Sequence, residues 1–181
     1  MATIDDDAPV CYLCLDGDES DEQLRRDCAC RGSDAGFVHL SCLVEFAASK
    51  SLRWDGGNED MFVNPWRICL SCHQEYQNEV AVEIATEFVS FVLAKYPDDT
   101  RKQVEALYVK LCALDSMLVR LTPVQKKEFD DIINVILSLI DRMKGDAPLH
   151  MRYSQIEAYA YHNLGCILLS RREQKRVPEG R

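Results

Sequence analysis

Eight soft metal ligands stand in four pairs within the first 72 residues: Cys11/Cys14, Cys28/Cys30, His39/Cys42 and Cys69/Cys72. Nothing else in the chain constrains the fold as strongly. Thiolates and an imidazole are the ligand types that zinc takes in tetrahedral sets of four. Eight of them complete two sets and leave no open coordination position. Closed sets are structural, so neither a zinc-bound water nor hydrolytic chemistry is expected. A segment of about 60 residues buries little apolar core by itself. Two structural zinc ions therefore have to hold it, and such an ion contributes on the order of 10–16 kcal/mol in small zinc peptides.

Composition narrows the remaining possibilities. The chain has 181 residues, 47% hydrophobic and 28% charged, with 8 Gly and 6 Pro, which suits a folded chain of one or two small domains. The net charge is −9. Nearly all of that excess falls before residue 74, chiefly in Asp5–Asp7 and Asp16–Glu22. Such runs read as solvated loops or as a surface for a basic partner. An acidic balance argues against a nucleic-acid partner. The start MATIDDDAPV lacks the positive region of a signal peptide. The longest apolar run, Ile132–Ile140, is interrupted and far shorter than the roughly 20 residues of a membrane span. The expectation is a soluble chain in a reducing compartment, cytoplasmic or nuclear, where its nine Cys serve as ligands or thiols rather than disulfides.

Taken in order, residues 1–10 read as a disordered acidic leader and Leu15–Asp27 as an acidic loop. Arg31-Gly32-Ser33 begins a turn. The segment HLSCLVEFAAS, 39–49, reads as a short helix that places His39 and Cys42 one turn apart. Asp55-Gly56-Gly57-Asn58 is a loop breaker. After residue 74 four apolar stripes recur at helical spacing: Val80 to Tyr96, Val104 to Leu121, Phe129 to Met143 and Ile156 to Leu168. Capping boxes are expected at Thr100/Gln103, Thr122/Gln125 and Ser154/Glu157, and Lys144-Gly-Asp-Ala-Pro148 is a stop. Short turns make neighbouring helices antiparallel, giving two helical hairpins. Cys112 and Cys166 read as small buried hydrophobes, and His150 and His162 lack partners at ligand spacing. No nucleophile–base pair and no phosphate-binding Gly loop is evident.

The ligand order, four Cys, one His, three Cys, resembles the RING-CH (RING-variant) zinc finger of the MARCH-type ubiquitin ligases. The run CACRGSDAGFVHLSCLVEF resembles the same family beyond its ligands, and the likeness spans about residues 8–76. The resemblance implies a cross-braced module in which alternate pairs share an ion. Site one would be Cys11, Cys14, His39 and Cys42; site two would be Cys28, Cys30, Cys69 and Cys72. It also implies a shallow apolar groove that docks a ubiquitin-conjugating enzyme, with Leu13, Phe46 and Leu70 at the matching positions. Phe46 stands where the family usually has Trp, and His73 where active RING domains often have a basic residue. The PHD finger shares the ligand order. With Trp66 near the seventh ligand, a PHD-like reader of a basic peptide such as a histone tail is the alternative.

The segment AYAYHNLGCILL resembles the first helix of a tetratricopeptide repeat over about a dozen residues. The expected architecture is thus a small zinc-stabilised cross-brace α+β module over residues 8–76, followed by an all-α region of about four antiparallel helices over 77–171. The expected activity is ubiquitin ligation by scaffolding, without a catalytic nucleophile. The helical region would bind the protein substrate.

Overall fold

The computed structural model describes residues 9–17, 22–26, 28, 30, 36–54, 60–144 and 151–174, with side chains to residue 165. The acidic leader up to residue 8, the turn at 31–33, the 55–58 breaker, the stop after Lys144, His150 and the side chain of Cys166 lie outside the described residues.

The chain divides into two compact units, residues 1–97 and 98–181. The first holds α1 (Leu40–Leu52), α2 (Asp60–Val63), a 3-10 turn (Asn64–Trp66) and α3 (Asn78–Lys95). The second holds α4 (Thr100–Ser116), α5 (Pro123–Lys144) and α6 (Met151–Gln174). α3 thus falls within the first unit, with the cysteine-rich part. Val80, Ile84, Ala85, Phe88 and Val92 are its buried stripe, recurring at helical spacing. That stripe packs on α1 and the 3-10 turn.

Trp66 is the hinge of this packing. It is only 1% exposed, stacks on Phe88 at 4.9 Å between ring centroids and leans on Phe91 at 5.2 Å. Its indole Nε1–H donates to Ser51 Oγ at 2.8 Å, and Ser51 Oγ–H donates to the Phe62 carbonyl at 2.8 Å. This chain satisfies the indole and a buried hydroxyl, which a buried aromatic with a polar tip requires. It also binds α1, α2 and the 3-10 turn together. Phe62 adds aromatic contacts to Trp54, Phe88 and Tyr96.

The β part of the expected α+β module is reduced, among the described residues, to two isolated antiparallel bridges, Arg25 with Val38 and Ile68 with Glu75. The stretches between ligands are too short to extend a ladder, and metal-binding turns interrupt them.

In the second unit, α5 packs on both α4 and α6. Phe129, Ile132, Ile133, Ile136, Leu139 and Ile140 form its buried face. Two charges of α4 are buried and paired. Glu105, 3% exposed, accepts from Arg152 Nε at 2.5 Å and Nη2 at 2.8 Å, a two-pronged pair with α6. Lys110, 7% exposed, donates to Glu128 of α5. Tyr159 donates to Asp115 at 2.6 Å, and its ring meets Tyr108 edge-on.

Helix starts differ in part from expectation. Thr122 and Gln125 form the expected reciprocal box: the Gln125 N–H donates to Thr122 Oγ1 at 3.2 Å and the Thr122 N–H to Gln125 Oε1 at 3.0 Å. At α4, however, Asp99 rather than Thr100 is the cap, accepting from the Lys102 N–H at 3.1 Å. Its carboxylate stands one residue ahead of the threonine and complements the positive helix end. Ser154 lies inside α6, which begins three residues earlier at Met151. Leu118 and Leu121 fall beyond the end of α4, so the apolar stripe continues past its helix.

Phe88→Ala should destabilise the first unit by about 3–5 kcal/mol, because it removes the stacking partner of Trp66 and leaves a cavity. Urea unfolding followed by Trp fluorescence checks this. A loss under about 1 kcal/mol would mean α3 is not part of that core.

Candidate metal centre

Two knuckles of the same design open and close the cysteine-rich segment. In the first, the Leu15 N–H donates to the Cys11 carbonyl at 2.8 Å, and the Cys11 N–H donates to the Asp16 carbonyl at 2.8 Å. In the second, His73 N–H donates to the Cys69 carbonyl at 2.9 Å, and Cys69 N–H to the Gln74 carbonyl at 2.8 Å. The residue after each second cysteine takes a left-handed backbone, with φ of 69° at Leu15 and 57° at His73. Non-glycine residues pay roughly 1–2 kcal/mol for that conformation. The chain tolerates it twice because the turn aims both sulfurs of each C-x-x-C to one side.

The segment before α1 ties the knuckles and inner ligands together. Tyr12 N–H donates to the Phe37 carbonyl at 3.0 Å, while Arg25 and Val38 exchange both backbone bonds at 2.8 and 2.9 Å. Cys28 and Cys30 lie on the excursion between Arg25 and Val38. Arg26 reinforces it, with its guanidinium 5.1 Å from the Phe37 ring centroid and a hydrogen bond to the Cys30 carbonyl at 3.2 Å.

The eight predicted ligands come together as two sets. Cys11, Cys14, His39 and Cys42 form one, and Cys28, Cys30, Cys69 and Cys72 the other, with the ligand atoms of each set within 4.8 Å of one another. Tetrahedral zinc at about 2.3 Å from sulfur requires ligand atoms roughly 3.8 Å apart. Cys30 Sγ and Cys69 Sγ are 3.6 Å apart, Cys14 Sγ and His39 Nδ1 3.4 Å, and Cys42 Sγ and His39 Nδ1 3.9 Å. The residues fit two zinc ions, and His39 offers Nδ1 in both of its contacts.

The electrostatics point the same way. Burial and then the thiols of Cys28, Cys69 and Cys72 push the Cys30 thiol far above its usual range. Burial and the neighbouring Cys14 and Cys11 thiols push Cys42 up to about 12. At Cys11 burial also opposes ionisation, but the backbone N–H groups of Cys14, His39 and Leu13 outweigh it and hold the thiol at about 7. Four thiolates this close repel one another, and a divalent cation is what lets them ionise together.

Two supporting residues carried no signal in the ligand pattern. Gly36 has φ +85°, and a Cβ there would stand 2.7 Å from Cys30 Cβ and 3.1 Å from Cys28 Sγ. Only glycine suits both the backbone and the space beside the second set. Glu22, in the run read as solvated loop, caps α1 instead. Its carboxylate accepts from the Ser41 N–H at 3.0 Å and from the Ser41 hydroxyl. His39 occupies the N-cap position without a side-chain cap bond, so the cap comes from elsewhere in the chain. Burial opposes the Glu22 charge, but these bonds hold its pKa below the usual carboxylate value.

The other predicted site residues separate. Phe46 and Leu70 line one open groove of about 540 Å³ beside the second knuckle, together with Trp54, Met61, Pro65, Ile68 and His73. Leu70 is 37% exposed. Leu13 is half-buried in the first knuckle and is not among the groove's lining residues. Trp66 is not among that groove's lining residues and is core.

Zinc content tests the two sets. Cys69→Ser/Cys72→Ser should lower bound zinc from two ions per chain to one, read by elemental analysis of the purified protein. Gly36→Ala should weaken the same ion, with chelator release at least about tenfold faster, whereas release from the first set stays unchanged. Acidification should release zinc from both sets, because protons compete for ligands that bind only when deprotonated.

Among the described residues no helix is long and apolar enough to cross a membrane. No curated protein and no solved structure matches the chain. A family model does match, over residues 11–54, and its description is the RING-variant domain. The matched stretch contains six of the eight ligands; Cys69 and Cys72 lie beyond it and complete the second set in space. With both ligand sets assembled around that stretch, the chain carries a RING-variant domain able to hold two zinc ions.

Proposed function

We propose that the protein is a RING-CH-type ubiquitin ligase. RING-variant domains are in general found in ubiquitin ligases. The domain would bind a ubiquitin-charged conjugating enzyme and hold its thioester in a reactive pose, which is catalysis by positioning and needs no nucleophile of its own. In this reading the two zinc ions cross-brace the module. The docking surface is formed by Phe46 and Leu70 in the groove, with Leu13 in the first knuckle as its outlying part. The α4–α6 unit, whose last helix has tetratricopeptide-like spacing and which together with α3 supplies four long helices, serves as the platform for a protein substrate. The reducing setting that keeps the cysteines available to zinc is the cytoplasm or nucleus.

The observation that carries the reading is the groove itself. Phe46 and Leu70, chosen by position in the ligand pattern, line one open apolar surface against the second knuckle. The alternative, a PHD-like reader of a basic peptide, draws less support. Trp66, the aromatic that would mark its peptide groove, is 1% exposed and stacked on Phe88. The groove that is open carries Lys50 and Arg53, which repel a basic peptide.

Autoubiquitination of the zinc-loaded chain with a panel of conjugating enzymes tests the proposal. Phe46→Ala should lower the rate at least about tenfold while zinc content stays at two per chain, as expected for loss of a central apolar anchor. Leu13→Ala should have a smaller effect. A folded, zinc-loaded chain inactive with every enzyme would overturn the ligase reading.

A further inference from the structure

The groove has a charge that its surroundings lack. Residues 1–73 hold most of the chain's acidic excess, yet among the described residues the charged side chains lining the groove are Lys50 and Arg53. Both are exposed at the C-terminal end of α1, next to each other's turn of helix. The Lys50 ammonium sits 5.3 Å from the centroid of the Phe46 ring, at the edge of the apolar floor. Neither cation has a carboxylate partner among the described residues. Glu45, Asp60 and Glu75 flank lining residues in sequence but do not line the groove, and Glu75 pairs with Arg67 instead. The surface therefore offers an apolar floor of Phe46, Met61, Pro65, Ile68 and Leu70 with Lys50 and Arg53 as a basic rim on one side.

We infer that this rim selects the partner: the groove takes a conjugating enzyme whose docking surface presents an apolar side chain flanked by carboxylates. The inference rests on the ligase reading and adds to it which enzymes are accepted. The apolar contact supplies adhesion common to many partners. Charge complementarity supplies discrimination, because a basic docking surface would meet Lys50 and Arg53 with like charge. Each exposed pair alone contributes little, so selectivity requires both cations acting on the same acidic patch.

Binding, rather than turnover, tests this. The full-length, zinc-loaded chain is titrated with two conjugating enzymes, one with an acidic and one with a basic docking surface, in about 50 mM and about 300 mM salt. The variants are Phe46→Ala and Lys50→Glu/Arg53→Glu, each with zinc content measured. The double variant changes exposed residues only and should keep two zinc ions. The inference expects tighter binding of the acidic enzyme, weakening by roughly tenfold in the double variant and with added salt, and a reversed preference in that variant. Binding that is lost in Phe46→Ala but unchanged in Lys50→Glu/Arg53→Glu would overturn the inference and leave the ligase reading standing. Failure of both enzymes to bind the wild-type chain would overturn the inference and the ligase reading together.

Discussion

Everything in the first unit depends on thiolates from distant parts of the chain being held together against their own repulsion. Each ligand set draws one pair from one side of the other set's pairs, so neither can assemble without folding the segment between them. Cys28 and Cys30 meet Cys69 and Cys72 across the whole length of α1. Burial and its thiol neighbours raise the pKa of Cys30, because a thiolate there is unfavourable without a cation. A divalent cation reverses that sign. The same proximity that would destabilise an unmetallated cluster is the geometry that a zinc ion requires.

The metal-held part is nevertheless not independent of ordinary packing. Trp66 sits between Cys69 and α2 in sequence and is buried against Phe88 and Phe91 of α3. It thereby fixes where the second knuckle emerges. Its indole bond to Ser51 joins that position to the end of α1, which carries His39 and Cys42 at its start. Arg25, beside the inner ligand pair, reaches Glu83 of α3 at 3.1 Å. That ion pair is a third exposed and contributes little by itself. The aromatic stack and the buried hydroxyl set the geometry, and the metal sets fill it.

The ligands were legible because metal chemistry is written in residue type and spacing, and both survive without any knowledge of the fold. The helices were legible for a similar reason: Val80, Ile84, Phe88 and Val92 repeat at the helical period. That period identifies a buried face but not what covers it. The stripe of α3 lies on α1 and on Trp66, a covering that its period alone does not name. An aromatic near a ligand, such as Trp66, suits either a groove wall or a core, and only packing distinguishes the two. In the sequence Glu22 is one member of an acidic run, because its partner, the Ser41 N–H, lies far along the chain. Gly36 carries no signal in the pattern for the same reason: the space a Cβ would need there is taken by Cys28 and Cys30. At Asp99 and Thr100 two capping residues stood side by side, and spacing alone favoured the wrong one. The acid won because a carboxylate both accepts the hydrogen bond and meets the helix dipole.

The groove lies where these two modes of stabilisation meet, and its chemistry follows from that position. Phe46 and Lys50 come from α1, whose first turn is anchored to a metal set; Leu70 comes from inside a knuckle; Met61, Pro65 and Ile68 come from the segment that Trp66 pins to α3. No single element could supply this surface. An apolar side chain such as Leu70 stays exposed on a knuckle because the tight turn between Cys69 and Cys72 gives it nothing to pack on. Its exposure costs the small module little, since zinc rather than apolar burial holds the turn. The surface is thus assembled from a metal-held knuckle and an aromatic-packed segment at once, so a change in either mode of stabilisation reaches it.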